Sequence, residues 1–442
     1  MSGTFTKNTI ITFVTRSLQL ILTICISIII ARVLGPEGKG IYSLVLLLPT
    51  FLITFTSLGI GPASVYFIGK KKYTPQEVLG ANIIYSILIS IFAISIGLIV
   101  IFFFGEKIFP KVGSEYLLLS LILIPFNLFL TFILDILLGL QEIKKYNFIT
   151  LIQYSVLLLL IAIFLLGFHF GIKAAVIADI LSIFIACIIL FLLAIKETKG
   201  IVFKLNKSYF KDFSSYGAKI YIGNIFGLLH YRVDMFLLNI FLNPVAVGIY
   251  SVAVGISEKI WLISQSAGIV IFPRVSSETN KKRLKDFTPL VCRNILFITF
   301  LIALILFFLS RWIILILYSE RFLEAVTPFQ VLLIGAISLS GARIISNDLA
   351  GRGKPLLSTY TGIFSVIFNI ILNIIWIPKF GIMGAAWASA ISYTSAFLFV
   401  TIVYSKISGN RIKDIIFVKK SDFRFYKNFL VLFKNKYLNN SK

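Results

Sequence analysis

The 442-residue chain is poor in the side chains from which metal sites and redox centres are built. It has two histidines and three cysteines, and no two cysteines stand in a CxxC spacing. Cys25, Cys187 and Cys292 all lie in apolar runs, where a cysteine behaves as a small buried hydrophobic residue. The sequence therefore predicts no metal, no redox role and no cofactor.

Charge is also scarce, and it is mostly of one sign. Charged residues make up 14% of the chain, and 42 Lys and Arg stand against 18 Asp and Glu, a formal net charge of +24. Such a positive charge suggests nucleic acid as a partner, but the sequence has no compact basic domain, no zinc-ligand spacing and no RNA-binding aromatic motif. The basic residues lie mainly in loops and the C-terminal tail, so we expect no nucleic-acid partner.

Apolar residues are abundant. They make up 58% of the chain, and the mean hydropathy is +0.98. A soluble protein of this length has too little interior to bury so much apolar surface. The chain is therefore predicted to be an integral membrane protein. Its first apolar run has no small-residue cleavage site, which predicts a retained helix and not a signal peptide.

Two segments of the sequence recur at nearly the same offset. Residues 34–43 (LGPEGKGIYS) are echoed by residues 242–251 (LNPVAVGIYS), 208 positions later. Residues 170–182 are echoed by 380–392, at an offset of 210. The two matches indicate one duplication of the whole unit. Duplicated membrane bundles that face each other are the usual architecture of secondary transporters.

Twelve apolar stretches are long enough to cross about 30 Å of hydrocarbon. They are residues 9–31, 41–68, 80–104, 116–140, 147–168, 172–195, 216–242, 249–273, 288–310, 328–350, 355–377 and 382–405. The predicted fold class is an all-α integral membrane protein with twelve transmembrane helices in two six-helix lobes. Because each repeat has an even number of spans, a pseudo-twofold axis along the membrane normal should relate the lobes.

Basic residues then predict the orientation. When residues near the ends of spans are counted with the adjoining loops, the N-terminus through Arg16, the even-numbered loops and the tail carry 32 of them, the odd-numbered loops carry 8, and Arg232 and Lys259 lie deep inside spans. Basic residues accumulate on the cytoplasmic side, so both termini are predicted to be cytoplasmic and the protein to lie in the cytoplasmic membrane.

The predicted domains follow from the same pattern. They are an N-terminal lobe (1–195), a cytoplasmic amphipathic linker (196–215), a C-terminal lobe (216–405) and a basic amphipathic cytoplasmic tail (406–442). The tail interleaves phenylalanines with Arg and Lys, a pattern that predicts binding to anionic membrane lipid, with a docking site for a partner enzyme as the alternative.

Ionisable residues inside spans are costly and often functional. Arg232, Asp234, Glu258 and Lys259 lie about 12 to 15 Å below the external ends of two adjacent predicted helices. They form either a structural salt-bridge cluster or a substrate site. In the second case Arg232 or Lys259 meets an anionic substrate, and Asp234 or Glu258 modulates that charge or exchanges a coupling cation.

Other charged residues are open to two interpretations each. Arg16 stands at the cytoplasmic start of the first helix, where it is either an interfacial anchor or a substrate contact. Asp179, about 12 Å from the external face, should have a buried polar partner or act in coupling. Asp135, Arg343 and Asp348 lie towards the cytoplasmic ends of their predicted helices, where they are expected to be solvated.

Four segments together resemble one known family. They are residues 31–42 (ARVLGPEGKGIY), Asp234 followed by residues 247–251 (VGIYS), residues 272–276 (FPRVS) and residues 351–355 (GRGKP). In this order and spacing they resemble Wzx-type polysaccharide flippases, which belong to the multidrug, oligosaccharidyl-lipid and polysaccharide exporter superfamily. The resemblance covers nearly the whole chain.

The resemblance implies a function and some site residues. It implies that the chain moves a polyprenyl-pyrophosphate-linked oligosaccharide across the cytoplasmic membrane by alternating access, for cell-surface polysaccharide biosynthesis. Related flippases use an arginine low in the first helix, matched by Arg16, and basic residues in the seventh and eighth, matched by Arg232 and Lys259. Polysaccharide polymerase and glycosyltransferases of the same pathway are then candidate partners. The lipid II branch has two further spans, which are lacking here.

Two rival functions come from different classes. An acidic cluster in the N-terminal lobe would indicate a cation-coupled multidrug or metabolite exporter of the same superfamily. The first six spans, however, contain only Asp135 and Asp179. A membrane-embedded glycosyltransferase or polymerase needs a large external loop or a metal-binding acidic motif, and no loop exceeds about 20 residues. We therefore expect that the chain is not an enzyme.

Overall fold

The computed structural model describes residues 2–204, 207–278 and 281–422, and nearly all of them are helical. The α-helices are α1 (Ser2–Thr56), α2 (Ile60–Gly69), α3 (Pro75–Ile108), α4 (Ser114–Ser120), α5 (Leu123–Gly139), α6 (Ile143–Ile161), α7 (Ile172–Thr198), α8 (Lys207–Phe241), α9 (Pro244–Ser257), α10 (Trp261–Ser277), α11 (Lys281–Tyr318), α12 (Val326–Gly351), α13 (Pro355–Ser408) and α14 (Ile412–Ile416). A π-helical turn (Ala162–Gly167) follows α6, and 3₁₀ turns precede α10 (Glu258–Ile260) and α12 (Glu320–Ala325).

Within the described ranges, nine helical segments are long and apolar enough to cross a membrane. This confirms the prediction of a multi-pass, all-helical membrane protein. All twelve predicted stretches fall on helices of the structure. The 53-residue segment covers two predicted stretches, the 46-residue segment covers the first stretch and most of the second, and α8 is not among the nine.

The two longest helices are sharply kinked at glycines. Gly35 divides α1 at φ 69° and ψ −176°, and Gly381 divides α13 at φ 58° and ψ −135°. A side chain with a Cβ is strained at such positive φ values, which is why glycine occupies both positions. Each helix is thus two helical segments joined at a kink, where the sequence predicts two helices separated by a loop.

Three of the predicted stretches are interrupted, and a fourth, 147–168, ends in the π-helical turn after α6. Stretch 41–68 breaks at Leu58 and Gly59, which have φ values of 51° and 70°. Here the backbone of Gly59 meets that of Gly217 in α8 so closely that a Cβ on either residue would collide with the other chain segment. Stretch 116–140 breaks between α4 and α5, and stretch 249–273 passes through the 3₁₀ turn before α10.

The described helices pack into two compact units. The first comprises the residues up to Ala253 together with Trp312–Val326 and Asn373–Ala385. Inside it, α1 packs on α6, α3 on α5, and α7 on both α5 and α6. A fully buried amide ties this core together, because Asn82 of α3 donates to the Ser64 hydroxyl (2.9 Å) and the Phe132 carbonyl (3.1 Å) and accepts from Tyr209 (3.0 Å).

The two copies of the repeated motif touch each other within this first unit. A Cβ on Gly40 would collide with the carbonyl oxygen of Pro244, and a Cβ on Gly248 would collide with that of Pro36. The contact is reciprocal, because Gly248 and Pro244 stand 208 positions after Gly40 and Pro36. Two glycines therefore let the backbones of α1 and α9 approach more closely than any side chain would permit.

An arginine fixes the end of α11 in the same unit. The Arg32 guanidinium donates to the carbonyl oxygens of Ile316 and Leu317, the latter at 2.9 Å. These carbonyls belong to the last turn of α11, where no helical N–H group reaches them. A cation at a helix C-terminus is also attracted to the negative end of the helix dipole.

The start of α8 packs on the protein through its aromatic face. Within the predicted linker, Phe213 stacks on Phe67 (4.8 Å between ring centroids) and Tyr209 packs edge-on against Tyr73 (5.1 Å). Asp212 accepts hydrogen bonds from Lys72 and Tyr73, and these bonds hold the pKa of its carboxyl below the usual range. The second half of the predicted linker is thus the beginning of α8, packed against the rest of the first unit. The domain boundary at the linker stays a prediction.

The second compact unit comprises Val254–Arg311, Thr327–Leu372 and Ala386–Lys442. Its helices meet at small residues. Ser365 and Ser392 each donate to the other's carbonyl oxygen (2.9 and 2.8 Å), and the Gly335 backbone packs against Ala390. Residues 423–442, which include the aromatic and basic part of the predicted tail, lie outside the described residues.

Candidate functional site

Asp234 of α8 is buried and held by hydrogen bonds. The Tyr250 hydroxyl of α9 donates to one carboxylate oxygen at 2.6 Å, and the backbone N–H of Met235 donates to the other at 2.7 Å. The side chain of Asp234 is 2% exposed, and Tyr250 is completely buried. Hydrogen bonds of this kind compensate for moving a carboxylate out of water.

Asp179 of α7 has the same kind of partner. The Tyr42 hydroxyl of α1 donates to its carboxylate at 2.6 Å. Lys39 is also buried, at 8% exposure, and its ammonium nitrogen lies 5.6 Å from the centre of the Tyr42 ring. The buried polar partner expected for Asp179 is therefore Tyr42, with a cation one helical turn away.

The two tyrosines occupy equivalent positions of the repeat. Tyr42 and Tyr250 are both the tyrosine of the GIYS motif, 208 positions apart. Each donates to a buried aspartate of another helix, although Asp179 and Asp234 are not themselves equivalent in the repeat. The motif was visible in the sequence, but it did not reveal that its tyrosine binds a carboxylate.

The predicted basic residues lie in different parts of the fold. Arg232 is half-buried on α8, and its guanidinium donates to the Tyr231 carbonyl at 2.9 Å. Arg232 and Asp234 both lie on α8, in the first unit. Arg16 is exposed on α1. Glu258 and Lys259 are half-buried in the 3₁₀ turn before α10, in the second unit, so a cluster of all four central residues stays a prediction.

One expectation for the charged residues was wrong. Asp348 was expected to be solvated at a helix end, but it is completely buried. Its carboxylate accepts from the Thr288 hydroxyl and from the guanidinium of Arg352, one turn further along α12. Arg343 likewise stacks on the Trp261 ring, with 4.4 Å between guanidinium and ring centre. The partners of Asp348 and Arg343 come partly from other helices, which the sequence spacing did not show.

The described residues contain no group of three or more His, Cys, Asp or Glu side chains that could hold a metal ion. Cys187 and Cys292 are buried, and Cys25 is half-buried.

A nearly all-helical chain with many spanning helices, and with carboxylates and basic residues inside them, is a multi-pass membrane protein. The chain belongs to the family described as polysaccharide biosynthesis protein, which it matches over residues 5–279, more than half of its length. A second family, MatE, matches residues 220–375. The resemblance predicted from the sequence is thereby confirmed.

Relatives and solved structures agree with this assignment. The chain is 24% identical over 382 residues to an uncharacterized membrane protein of Methanocaldococcus jannaschii, covering 84% of this chain and 90% of that protein. It is 29% identical over 229 residues to the "Probable low-salt glycan biosynthesis flippase Agl15" of Haloferax volcanii, covering 48% and 47%.

Among solved structures, the lipid II flippase MurJ in an inward closed conformation has a similar fold, with a TM-score of 0.73. The sequences are 19% identical, and the match covers 98% of this chain and 93% of that one. The family and its named relatives are transporters and not catalytic enzymes, as the sequence predicts for this chain.

Proposed function

We propose that the chain is a flippase that translocates a polyprenyl-pyrophosphate-linked oligosaccharide across the cytoplasmic membrane by alternating access, for cell-surface polysaccharide biosynthesis. The observation that carries the proposal is a half-buried arginine inside a helix, Arg232, two residues from a carboxylate held by Tyr250. A pyrophosphate cannot cross hydrocarbon unaided, so its path needs cationic side chains that replace water. Membership of the polysaccharide biosynthesis family supports the same substrate class.

The proposed architecture has twelve spanning helices in two six-helix lobes, related by a pseudo-twofold axis along the membrane normal. Three observations support it. The kinks at Gly35 and Gly381 divide two helices that are each long enough to cross a bilayer twice. Gly40 and Gly248 make a reciprocal contact. Tyr42 is a repeat equivalent of Tyr250, and each binds an aspartate.

In this proposal Arg16, Arg232 and Lys259 contact the anionic pyrophosphate. Asp234, Glu258 and Asp179 are charge partners that set the local potential or take part in coupling. Both termini are cytoplasmic, and the basic tail binds anionic membrane lipid. A polysaccharide polymerase and glycosyltransferases are partners of the pathway that supplies and consumes the substrate.

The charge of Arg232 provides a test in cells that depend on this chain for glycan export. Arg232→Gln and Lys259→Gln should each abolish export while the protein still folds and inserts. Arg232→Lys should retain more activity, because a mobile phosphate responds to positive potential more than to bidentate geometry. Export is measured as surface glycan, and protein level by immunoblot of the membrane fraction.

A double variant separates substrate contact from a structural role. Breaking a buried ion pair by removing one partner costs about 3 to 5 kcal/mol, because the other charge is left uncompensated. If Arg232 has a structural role of that kind, Arg232→Gln should lower the protein level, and the combination with Asp234→Asn should restore it. Export should stay lost at matched expression, and restored export in the double variant would rule out substrate contact by Arg232.

The second candidate function is a cation-coupled multidrug or metabolite exporter of the same superfamily. The match of residues 220–375 to the MatE family favours it. The two functions differ in substrate, so a lipid-linked oligosaccharide and a cationic dye offered to the same protein distinguish them.

A further inference from the structure

A groove lies at the end of α3, where the chain passes to α4. Its volume is about 920 Å³, inside the range of about 300 to 1,000 Å³ that is usual for ligand pockets. The spanning segments Pro75–Ile108 and Ser114–Gly139 flank the loop at residues 109–113, so this loop lies at a membrane surface. Because residues of α3 and of the loop both line the groove, it extends from the hydrocarbon to the water.

Three consecutive phenylalanines of α3 form the apolar part of the groove. Phe102, Phe103 and Phe104 are 72%, 77% and 49% exposed. At a rise of about 1.5 Å per residue, Phe103 lies about 6 Å along the helix from Lys107. One lipid molecule can therefore contact the phenylalanines with a chain and the lysine with its headgroup.

The floor of the groove is fixed by packing. Phe109 and Leu117 are 3% and 1% exposed. The Phe109 ring packs edge-on against Phe236 of α8, with 5.9 Å between ring centroids. The groove is thus a shaped surface on a packed core, whereas a single exposed apolar side chain needs no explanation.

The rim of the groove is polar and carries two lysines and one glutamate. Lys107, Lys111 and Glu106 are all exposed, and two positive charges with one negative charge give the rim a formal charge of +1. The carboxylate of Glu115 lies beside Gly113 in the loop. A rim of this charge attracts a singly charged anion.

A tight turn holds Lys111 at the rim. The Val112 N–H donates to the Phe109 carbonyl at 3.1 Å, and Lys111 has a φ of 63°. This left-handed conformation is unfavourable for a residue with a Cβ. Backbone strain of this kind is concentrated at functional positions, which agrees with a binding role for Lys111.

We propose that this groove binds one anionic phospholipid of the surrounding membrane. The phosphodiester lies between the ammonium groups of Lys107 and Lys111, and a hydrocarbon chain lies along Phe102 and Phe103. Lysines at a membrane surface attract anionic headgroups, and the chain covers the exposed rings. The phenylalanines select a lipid over a free phosphate, which has no apolar part to cover them.

The charge of the rim favours a phospholipid over the substrate proposed above. A phosphodiester carries one negative charge and balances the rim, whereas a polyprenyl pyrophosphate carries a charge on each of its two phosphates. Charge complementarity contributes mainly to specificity, so the groove should prefer the phosphodiester. The lipid site does not depend on what the chain transports.

Native mass spectrometry of the purified full-length chain tests the basic rim. Phosphatidylglycerol is titrated into the detergent solution, and the Kd of the first lipid bound is measured. A lysine near an anionic headgroup contributes about fivefold to affinity, so Lys107→Gln combined with Lys111→Gln should weaken binding about 25-fold. Wild-type affinity in this double variant would overturn the proposal.

Lys70→Gln combined with Lys71→Gln is the matched control. Both lysines are exposed in the loop after α2, and Lys71 has a φ of 55°, similar to that of Lys111. This variant removes the same charge from a part of the surface outside the groove, so it should bind phosphatidylglycerol as the wild type does. An equal loss of affinity in both double variants would show that net charge alone attracts the lipid, which contradicts a defined site.

The apolar part is tested by Phe103→Gln, with Phe308→Gln as its control. Phe308 of α11 is 72% exposed, close to the 77% of Phe103, but does not line the groove. Phe103→Gln should weaken the binding of phosphatidylglycerol, and Phe308→Gln should leave it unchanged. Equal affinities of the two variants would contradict the placement of the chain.

Photo-cross-linking locates the lipid on the wild-type chain without any substitution. A phosphatidylglycerol with a diazirine in its acyl chain should label peptides that contain residues 101–117. Unlabelled phosphatidylglycerol should compete better than uncharged diacylglycerol and better than polyprenyl pyrophosphate. Labels found only elsewhere, or stronger competition by polyprenyl pyrophosphate, would contradict the proposal, and a failed transport assay would leave these results unaffected.

Discussion

At the scale of single residues, the stability of the first unit depends on two tyrosines that bind aspartates. Tyr42 and Tyr250 each donate at 2.6 Å to a carboxylate that is almost completely buried. Replacing either by phenylalanine keeps the ring but removes the donor. A buried acceptor without its donor costs about 1 to 3 kcal/mol. We therefore expect Tyr42→Phe and Tyr250→Phe to lower the thermal unfolding midpoint of the purified protein in detergent.

Tyr360 offers a matched control for these two variants. It is 62% exposed, so Tyr360→Phe removes a hydroxyl that is not buried. This variant should unfold at the wild-type temperature. If all three variants behave alike, the hydrogen bonds to Asp179 and Asp234 contribute no measurable stability.

The sequence predicted only some of the buried ionisable residues and their partners. Asp234 and Arg232 were found because a charge inside an apolar stretch is conspicuous. The partner of Asp179 was not found, because Tyr42 is 137 residues away and becomes a neighbour only through helix packing. Asp348 was placed in solvent for the same reason, since Thr288 is 60 residues distant in the chain.

At the scale of helices, the contact between α1 and α9 depends on two glycines. Any Cβ at Gly40 or Gly248 meets a proline carbonyl oxygen of the other helix. Backbone atoms cannot rotate away, so Gly40→Ala and Gly248→Ala must push the helices apart, and overpacking of this kind typically costs about 1 to 3 kcal/mol. We expect a lower unfolding midpoint for each variant.

Gly69 at the end of α2 is the control for the glycine variants. No atom lies within 4 Å of the position that its Cβ would occupy. Gly69→Ala should leave stability unchanged or raise it, because alanine favours a helix over glycine by about 0.5 to 1 kcal/mol. A wild-type midpoint for Gly40→Ala would show that α1 and α9 do not approach as closely as described.

The segment after α13 is anchored by one buried ion pair. Arg293 of α11 donates to both carboxylate oxygens of Asp422 and to the Asp414 carbonyl at 3.1 Å. These bonds from Arg293 hold the pKa of Asp422 below the usual range for aspartate. The anchoring is therefore fully present above about pH 4 and is lost as the pH falls through the lowered pKa of Asp422.

Limited proteolysis measures this anchor. Asp422→Asn should expose residues after 409 to protease at neutral pH, where the wild type is protected. Asp414→Asn is the control, because the carboxylate of Asp414 pairs with an exposed lysine, Lys419, and such surface pairs contribute little. Equal cleavage of the wild type and Asp422→Asn at neutral pH would contradict the anchoring role.

Helix content was predictable from hydropathy, but helix ends were not. All twelve apolar stretches are helical, because only helices satisfy the backbone inside a bilayer. The break at Gly59 was missed, since it results from close approach to Gly217 of a distant helix. The residues between the first two stretches were predicted as a loop, yet the helix continues to and beyond the kink at Gly35.

At the scale of the whole molecule, the distribution of basic residues predicts the orientation in the membrane. Val245, at the start of α9, is 37% exposed and should face outward, whereas Lys285 of α11 is exposed and should face the cytoplasm. In a Cys25→Ala background, Val245→Cys should react with an impermeant thiol reagent in intact cells and Lys285→Cys should not.

Permeabilised cells supply the control for this labelling, because both cysteines should then react. Labelling of Lys285→Cys in intact cells would reverse the predicted orientation. The twelve-helix arrangement places the two positions on opposite sides of the membrane. Labelling of both positions in intact cells would contradict that arrangement.

The central claim is that this chain carries a lipid-linked oligosaccharide across a bilayer, and reconstitution tests it most directly. Purified full-length protein is placed in vesicles with a fluorescent polyprenyl-pyrophosphate oligosaccharide, and an impermeant quencher reports the fraction in the outer leaflet over time. We predict that the wild type exchanges the probe between leaflets much faster than protein-free vesicles do, and that Arg232→Gln does not. Exchange no faster than in protein-free vesicles, while the same preparation moves a cationic dye along an imposed proton or sodium gradient, would contradict the flippase assignment and favour an exporter.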